Sequence, residues 1–416
     1  MGSPNHREYQ RLFDYFSIIG LNPDGGLEPN PIQDVRQTVV PLERSYLATV
    51  LGHYPDSIPG IPLDHQALQM LCLPKGLQLR TQKQCLDAVY HPFLITREDG
   101  SRSYGFSYTF YEEVNSKHIC TTMHTLQSTH LAEISKTQGG GVDTPSEHTT
   151  PQKGESRRDT RSLPREFRWS SPKSAAARLF YDVTKDQLYV TKCIVLVGRQ
   201  PDVGAARKFL VGLYKLFIGC EGGAVTLESH VHNLLYEVHV PPPGRCLAFN
   251  CVGIPHLSYR PTSHELPLLL YPLRELFSLL NPDCVVQLLS CVLLENQVLL
   301  VASDYHRLML VAESICALLF PFVWHHVYVP ILPAALTHFL DAPVPFIMGL
   351  HATPAAKKNI SIPDEANLCL VDVDIGAVDV PEDLPQFPHS GEFVEELTKL
   401  LGQWDLHAPP LHQLDS

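Results

Sequence analysis

Five familiar motifs of catalysis and metal binding are missing from this chain of 416 residues. No GxxxxGK[ST] phosphate loop occurs, no GxGxxG follows a strand, and no GxSxG elbow presents a serine. The usual motif routes to nucleotide hydrolysis, dinucleotide binding and serine-ester chemistry are therefore closed. Neither CxxC nor HExxH is present, which removes the common zinc spacings. Charge is also sparse. Only 18% of residues are charged, and 44 acidic against 32 basic residues leave a formal net charge of −12. Gripping a phosphate backbone needs a basic surface, so nucleic acid is not an expected partner. No uncharged apolar run free of proline reaches the roughly 18 residues of a membrane-spanning helix. The N-terminus, "MGSPNHREYQRLFDYF", has no apolar stretch behind a basic start, so it does not read as a signal peptide. The expectation is a soluble, intracellular protein.

What is present is apolar and proline-rich. With 44% hydrophobic residues the chain is globular, and its length predicts two core-forming units. Eleven cysteines sit mostly in apolar runs such as "LQMLCLP" and "TKCIVLV" and read as reduced, buried small hydrophobes.

The first unit spans 11–255, behind a flexible start at 1–10. Its strand-like runs are "LFDYFSIIGL", "LQMLCLP", "HPFLITRED" and "RSYGFSYTFYEEV". Asp99-Gly100 predicts a hairpin between the last two. Tyr104, Phe106, Tyr108 and Phe110 alternate with Gly105, Ser107 and Thr109. That period of two buries one face and leaves the other to solvent or a small-residue contact. Residues 133–175 are rich in Gly, Ser, Thr and Pro and read as a flexible insertion, with phosphorylation at Thr144 or Thr150 left open. A strong strand returns in "DQLYVTKCIVLVGR", followed by amphipathic helices near 205–217 and 227–238 and by the extended connector "VPPPGR".

The second unit, 256–384, alternates helices with short apolar strands. "YPLRELFSLL" and "PDCVVQLLSCVLLENQ" read as helices, "QVLLVAS" as a strand buried on both faces, and "DYHRLMLVAESICALLF" as a helix opened by Asp304. "HHVYVPIL", "VPFIMGL" and "ANLCLVDVD" supply further strands around the short helix "ALTHFL". This alternation predicts an α/β layered sheet. A final amphipathic helix, "GEFVEELTKLLGQW", lies in 385–416.

Candidate chemistry is thin. His325, His326, His338 and His351 have no metal-ligand spacing and read as structural. Asp372 and Asp374 share a face at a strand's end, where α/β sheets bind ligands. They suit a polar partner contact, with a magnesium or acid–base role as the alternative. In "YVPILPAALTHFLDAPVPFIMGL", Pro330 and Pro333 close one turn and Pro343 and Pro345 another, presenting "ALTHFLDA" rigidly.

As an ordered series this stretch is specific. "FPFVWHHVYVPILPAALTHFLDAPVPFIMGLH", "EANLCLVDVD" and "VPEDLPQFP" resemble the central segment of a DENN domain. Upstream, "LFDYFSIIGLNPDGGLEPN", "FLITREDGSRSYGFSYTFYEEV" and "LLYEVHVPPPGR" agree, and the whole is similar to the DENN domain-containing protein 5 subfamily, also called Rab six-interacting protein one. The resemblance implies a longin-like antiparallel sheet with helices, then an α/β sheet sandwiched by helices. It implies a guanine-nucleotide exchange factor for Rab small GTPases, with no cofactor and no covalent or acid–base chemistry of its own. It places the protein in the cytoplasm, peripheral on Golgi or endosomal membranes. The corresponding Rab-interface candidates are Asp341, Ala342, Pro343, Val344 and Pro345, then Asp372 and Asp374, with Tyr15 and Phe16 from the longin side. The chain departs from the pattern mildly at Asn296, Val301 and Ala302, and more seriously at its end. It stops at Ser416, soon after the downstream segment begins, so a Rab-binding or scaffolding fragment without exchange is the alternative. An α/β enzyme using Asp372 and Asp374 or the histidines would instead require a small-molecule pocket at the carboxyl edge of the sheet.

Overall fold

A computed structural model describes residues 10–30, 39–97, 100–138, 181–218, 225–262, 271–357 and 368–403. In the first unit, strands β1 (Tyr15–Gly20), β2 (Thr49–Tyr54), β3 (Leu79–Thr81), β4 (Val89–Thr96), β5 (Arg102–Glu113) and β6 (Leu188–Gly198) form one antiparallel sheet. Its order is β2-β1-β6-β5-β4, with β3 also on β6. The β4–β5 hairpin pairs Thr96 with Arg102. The strand read from "DQLYVTKCIVLVGR" is central to the sheet.

Helices cover both faces. Helix α1 (His65–Cys72) starts where Asp64 accepts the Ala67 N–H at 2.9 Å. The reading of "LQMLCLP" as a strand is thus corrected: Leu68 and Cys72, one helical turn apart, are the residues α1 buries. On β5, Ser107 meets the Cys72 carbonyl of α1 and the Cys193 thiol. Tyr108 and Phe110 pack on Tyr214 of α3 (Val203–Ile218) from the other side. Neither face of the alternating strand is left to solvent there. Helix α2 (Lys117–Gln138) covers the first residues assigned to the insertion. The rest of that segment, with Thr144 and Thr150, lies outside the described residues, as do residues 1–9 of the start at 1–10 that was expected to be flexible. After α4 (Leu227–His232), β7 (Arg245–Cys251) and β8 (Ile254–Arg260) form a separate hairpin.

The second unit follows the predicted alternation. Helices α5 (Leu273–Leu279) and α6 (Pro282–Leu293) precede β9 (Gln297–Ala302), α7 (Tyr305–Leu318), β10 (Val327–Val329), a 3-10 helix (Ala334–Asp341), β11 (Phe346–His351) and α8 (Pro354–Lys357). Then come β12 (Leu368–Asp372), β13 (Ala377–Asp379) and α9 (Ser390–Gly402). Strand order is β10-β11-β9-β12-β13, parallel except for the β12–β13 hairpin. Alternation along the strands divides two cores. Val298, Leu300, Ile347 and Val371 join the main core shared with the first unit. Leu299, Val301, Phe346 and Met348 form a smaller one, on which Leu336 and Leu340 of the 3-10 helix pack. Helix α7 packs on β9 and β11 and also on β4, so it is the shared wall between the two sheets.

Candidate functional site

All four parallel strands run the same way, so the second sheet has an amino edge and a carboxyl edge. Strands of six residues separate the two by roughly 17–20 Å. The predicted site residues divide between them. Asp341 to Pro345 lead into β11 at the amino edge. Asp372 and Asp374 lie at the end of β12, at the carboxyl edge. The structure does not bring these two groups together.

The amino edge is apolar and exposed. Leu294 precedes β9, while Phe320, Phe322 and Val323 precede β10, and Phe339 and Val344 precede β11. Phe322 is 69% exposed and Val323 64%, far more than a core-forming residue shows. The loops are tied to one another. Gln297 Nε2 donates to the Ala342 carbonyl at 2.8 Å and to that of Val344 at 3.2 Å. His326 lies 3.1 Å from the Glu295 carboxylate, and Trp324 Nε1 donates to the Val327 carbonyl at 3.2 Å. The prolines do what their spacing predicts. Pro333 caps the 3-10 helix, whose Ala334 N–H reaches the Pro74 carbonyl of the first unit at 3.1 Å. Pro330 runs so close to β11 that a Cβ on Gly349 would lie 1.9 Å from its carbonyl oxygen. Only glycine fits there.

At the carboxyl edge Asp372 and Asp374 are occupied. Lys357 Nζ donates to both, at 2.5 and 2.9 Å, and Arg307 donates to Asp374 at 3.0 Å. The Ser303 N–H adds a bond to Asp374 at 2.8 Å. Burial opposes the Lys357 charge, but hydrogen bonds and charge from the two aspartates outweigh it and raise its pKa. Burial likewise opposes the Asp374 charge, and Lys357 with the Ser303 N–H outweighs it, holding that pKa below the ordinary value. The pair closes the sheet's end as an ion-paired cluster.

Tyr15 and Phe16 are corrected more sharply. They are 1% and 4% exposed, and the Tyr15 hydroxyl donates to the Ile61 carbonyl at 2.7 Å while accepting the Ile58 N–H at 2.8 Å. Both belong to the core of the first sheet rather than to a contact surface.

Beside the aspartates lies a cavity of about 730 Å³ that the sequence did not announce. Its floor is the carboxyl ends of β9 and β11, contributing Ser303, Asp304, Tyr305 and His351. The first unit supplies its other wall, with Lys75, Arg80, Tyr90, His91 and Arg207. An aromatic series crosses between the units: His91 to Tyr305 at 5.1 Å, and Tyr305 to His351 at 4.5 Å between ring centroids. Burial pushes the His91 pKa down to about 4, although its Nε2–H donates to the Leu71 carbonyl at 3.0 Å. Burial and the Lys75 charge also lower that of His351. The pocket required by the enzyme reading is therefore present; of the residues that reading names, His351 lines it, and Asp372, Asp374, His325, His326 and His338 do not.

Two known domains match parts of this chain. Residues 48–110 match the uDENN domain, and residues 189–376 match the DENN (AEX-3) domain. Over 201 residues the chain is 33% identical to the DENN domain and WD repeat-containing protein SCD1 of Arabidopsis thaliana, covering 48% of this chain and 17% of that protein. Over 238 residues it is 31% identical to mouse (Mus musculus) DENN domain-containing protein 3, covering 54% of this chain and 18% of the relative. The aligned part is thus less than a fifth of either relative's length.

Proposed function

We propose that this chain, which carries a uDENN domain and a DENN domain, docks a Rab small GTPase through its apolar amino edge and promotes GDP release. DENN-domain proteins are generally Rab exchange factors. The observation that carries the reading is the exposed apolar surface of Leu294, Phe320, Phe322, Val323, Phe339 and Val344, fixed by the Gln297 clamp and framed by Pro343 and Pro345. Large apolar side chains exposed along one edge of a sheet are the kind of surface that marks protein interaction sites. Exchange asks for no proton transfer from the factor, only preferential binding to the nucleotide-free partner. Each tenfold gain in release rate corresponds to about 1.4 kcal/mol of that preference, and a pre-set surface delivers it without an ordering cost.

The test is release of a fluorescent GDP analogue from a panel of Rabs with and without the chain. Acceleration for one or a few Rabs supports exchange. Capture of nucleotide-free Rab without acceleration would overturn the exchange reading and make the chain a Rab-binding or scaffolding segment instead. Neither acceleration nor capture, for any Rab, would overturn both. The finer assignment to the DENN domain-containing protein 5 subfamily rests on the motif resemblance alone, since the two relatives above carry other names. Placement on Golgi or endosomal membranes rests on it as well and is tested by imaging the tagged chain in cells.

A further inference from the structure

The interlobe cavity is lined by three cations, Lys75, Arg80 and Arg207, and among the described residues none of them is ion-paired with a carboxylate. That is unexpected in a chain of net charge −12, because half-buried charges are ordinarily paired. Arg80 lies over the Tyr111 ring at 4.8 Å and reaches the Cys85 carbonyl, and Arg207 lies over the Tyr90 ring at 5.9 Å. Lys75 stands beside Arg80. Burial, with that like charge second, lowers the Lys75 pKa, so the site holds positive charge against its own repulsion. The two carboxylates on the wall are turned to local work. Asp304 accepts the His306 N–H at 2.9 Å as the α7 cap, and Asp87 accepts the Cys85 thiol at 2.8 Å.

The place in the fold is equally specific. From β9 the chain passes through α7 to β10, on one flank of the adjacent β9–β11 pair, and from β11 it goes on to β12, on the opposite flank. Where successive connections part in this way, an open α/β sheet forms a crevice at its carboxyl ends, and ligands bind there. The cavity opens at that point, with Ser303 and Tyr305 after β9 and His351 at the end of β11.

We propose that this cavity binds a small phosphorylated molecule, with Lys75 and Arg80 contacting its phosphate, Arg207 further along the cavity, and the Tyr305–His351 pair forming an apolar wall. Phosphate is the fitting chemistry because it carries enough charge to relieve adjacent cations and offers several acceptors to a guanidinium and an ammonium together. The site is separate from the amino edge and stands whether or not the chain accelerates nucleotide release.

Calorimetric titration of the whole chain with inorganic pyrophosphate tests it. A parallel arm co-sediments the chain with phosphatidylcholine vesicles containing a phosphatidylinositol monophosphate. Lys75→Gln and Arg80→Gln should each weaken binding at least tenfold. Lys192→Gln, a cation paired with Glu112 at 2.8 Å on β6, should leave binding unchanged. Thermal unfolding of each variant without ligand confirms that it is folded. Variant-sensitive binding of pyrophosphate supports a soluble phosphorylated ligand. Variant-sensitive binding to vesicles alone supports the same site with a lipid headgroup as its source. Binding to neither, or equal binding by the Lys75→Gln and Lys192→Gln variants, overturns the proposal.

Discussion

The two edges of the parallel sheet are built from the same strands and solve opposite problems. At the carboxyl edge the ends of β9, β11 and β12 meet the first unit, and polar groups there are paired, buried or gathered around a cavity. At the amino edge the same strands begin from loops that expose phenylalanine and valine to solvent. The carboxyl edge carries charge inside the molecule, and the amino edge carries apolar surface outside it. Apolar groups that find no partner within a fold are available to one outside it, while inward charge selects small ligands by chemistry. One sheet thus presents an exposed apolar edge and a cation-lined cavity that share no residue.

The largest expected difference between the edges is in acid. His91 faces the cavity and is held neutral by burial, with its pKa at about 4 against 6.5 when unfolded. Below pH 6.5 the unfolded chain takes up a proton that the folded chain refuses. Stability therefore falls as pH drops from 6.5 toward 4, by as much as about 3 kcal/mol. His91→Gln keeps a donor for the Leu71 carbonyl and does not titrate, so denaturant unfolding across that window should flatten. An unchanged slope would remove His91 from the picture.

Gly349→Ala comes next, because the new methyl would collide with the carbonyl oxygen of Pro330, just after β10. A loss of roughly 1–3 kcal/mol is expected from overpacking of this kind, and thermal unfolding measures it. Wild-type stability would mean that the Pro330 turn yields freely.

At the amino edge the double variant Phe322→Asp, Val344→Asp should cut Rab nucleotide release about tenfold, equivalent to about 1.4 kcal/mol. Its melting temperature should stay near that of the parent, since both side chains are exposed. Retained activity would move the docking face elsewhere.

Lys357→Ala should have the smallest effect, under about 1 kcal/mol at neutral pH, as expected for partly solvated ion pairs. Asp374 has a depressed pKa, so its contribution is present above the ordinary value of 3.8 and is lost as pH falls through the folded value. Lys357 has a raised one, so its contribution is present below 10.5 and is lost as pH rises through the folded value. Unfolding measured at the two extremes should no longer separate variant from parent.

The parts of the fold legible in the sequence are those where one local signal decides. Pro282 at the start of α6, Asp304 ahead of α7 and strands β9 to β12 of the second unit were readable because cap, period and length agree, while the three-residue β13 was too short to show. Helix α2 was not. The positions it buries include Ile119 and Met123 but also Gln127 and His130, so no apolar stripe survives, and its Thr and Ser hydroxyls bond back to carbonyls four residues earlier. The β7–β8 hairpin was hidden by its turn. Val252 and Gly253 both take positive φ, and valine is not the residue that announces a type I′ turn.

The candidate site was half legible. Asp341 to Pro345 stood out because prolines punctuate them locally, and they lie at the amino edge. Asp372 and Asp374 stood out by chemistry, yet Lys357, the last residue of α8, pairs with both. The cavity cations were missed because Lys75, Arg80 and Arg207 come from a loop, a three-residue strand and a helix that only tertiary packing assembles. Tyr15 and Phe16 failed for the reverse reason: aromatics on the inner strand of a sheet pack inward.

Hydrogen–deuterium exchange of the chain with and without a nucleotide-free Rab would test the division of roles most directly. Docking at the amino edge predicts new protection at 319–327 and 339–346, with little change at 303–307 beside the cavity. Protection at 303–307 with the amino-edge segments unchanged would contradict it.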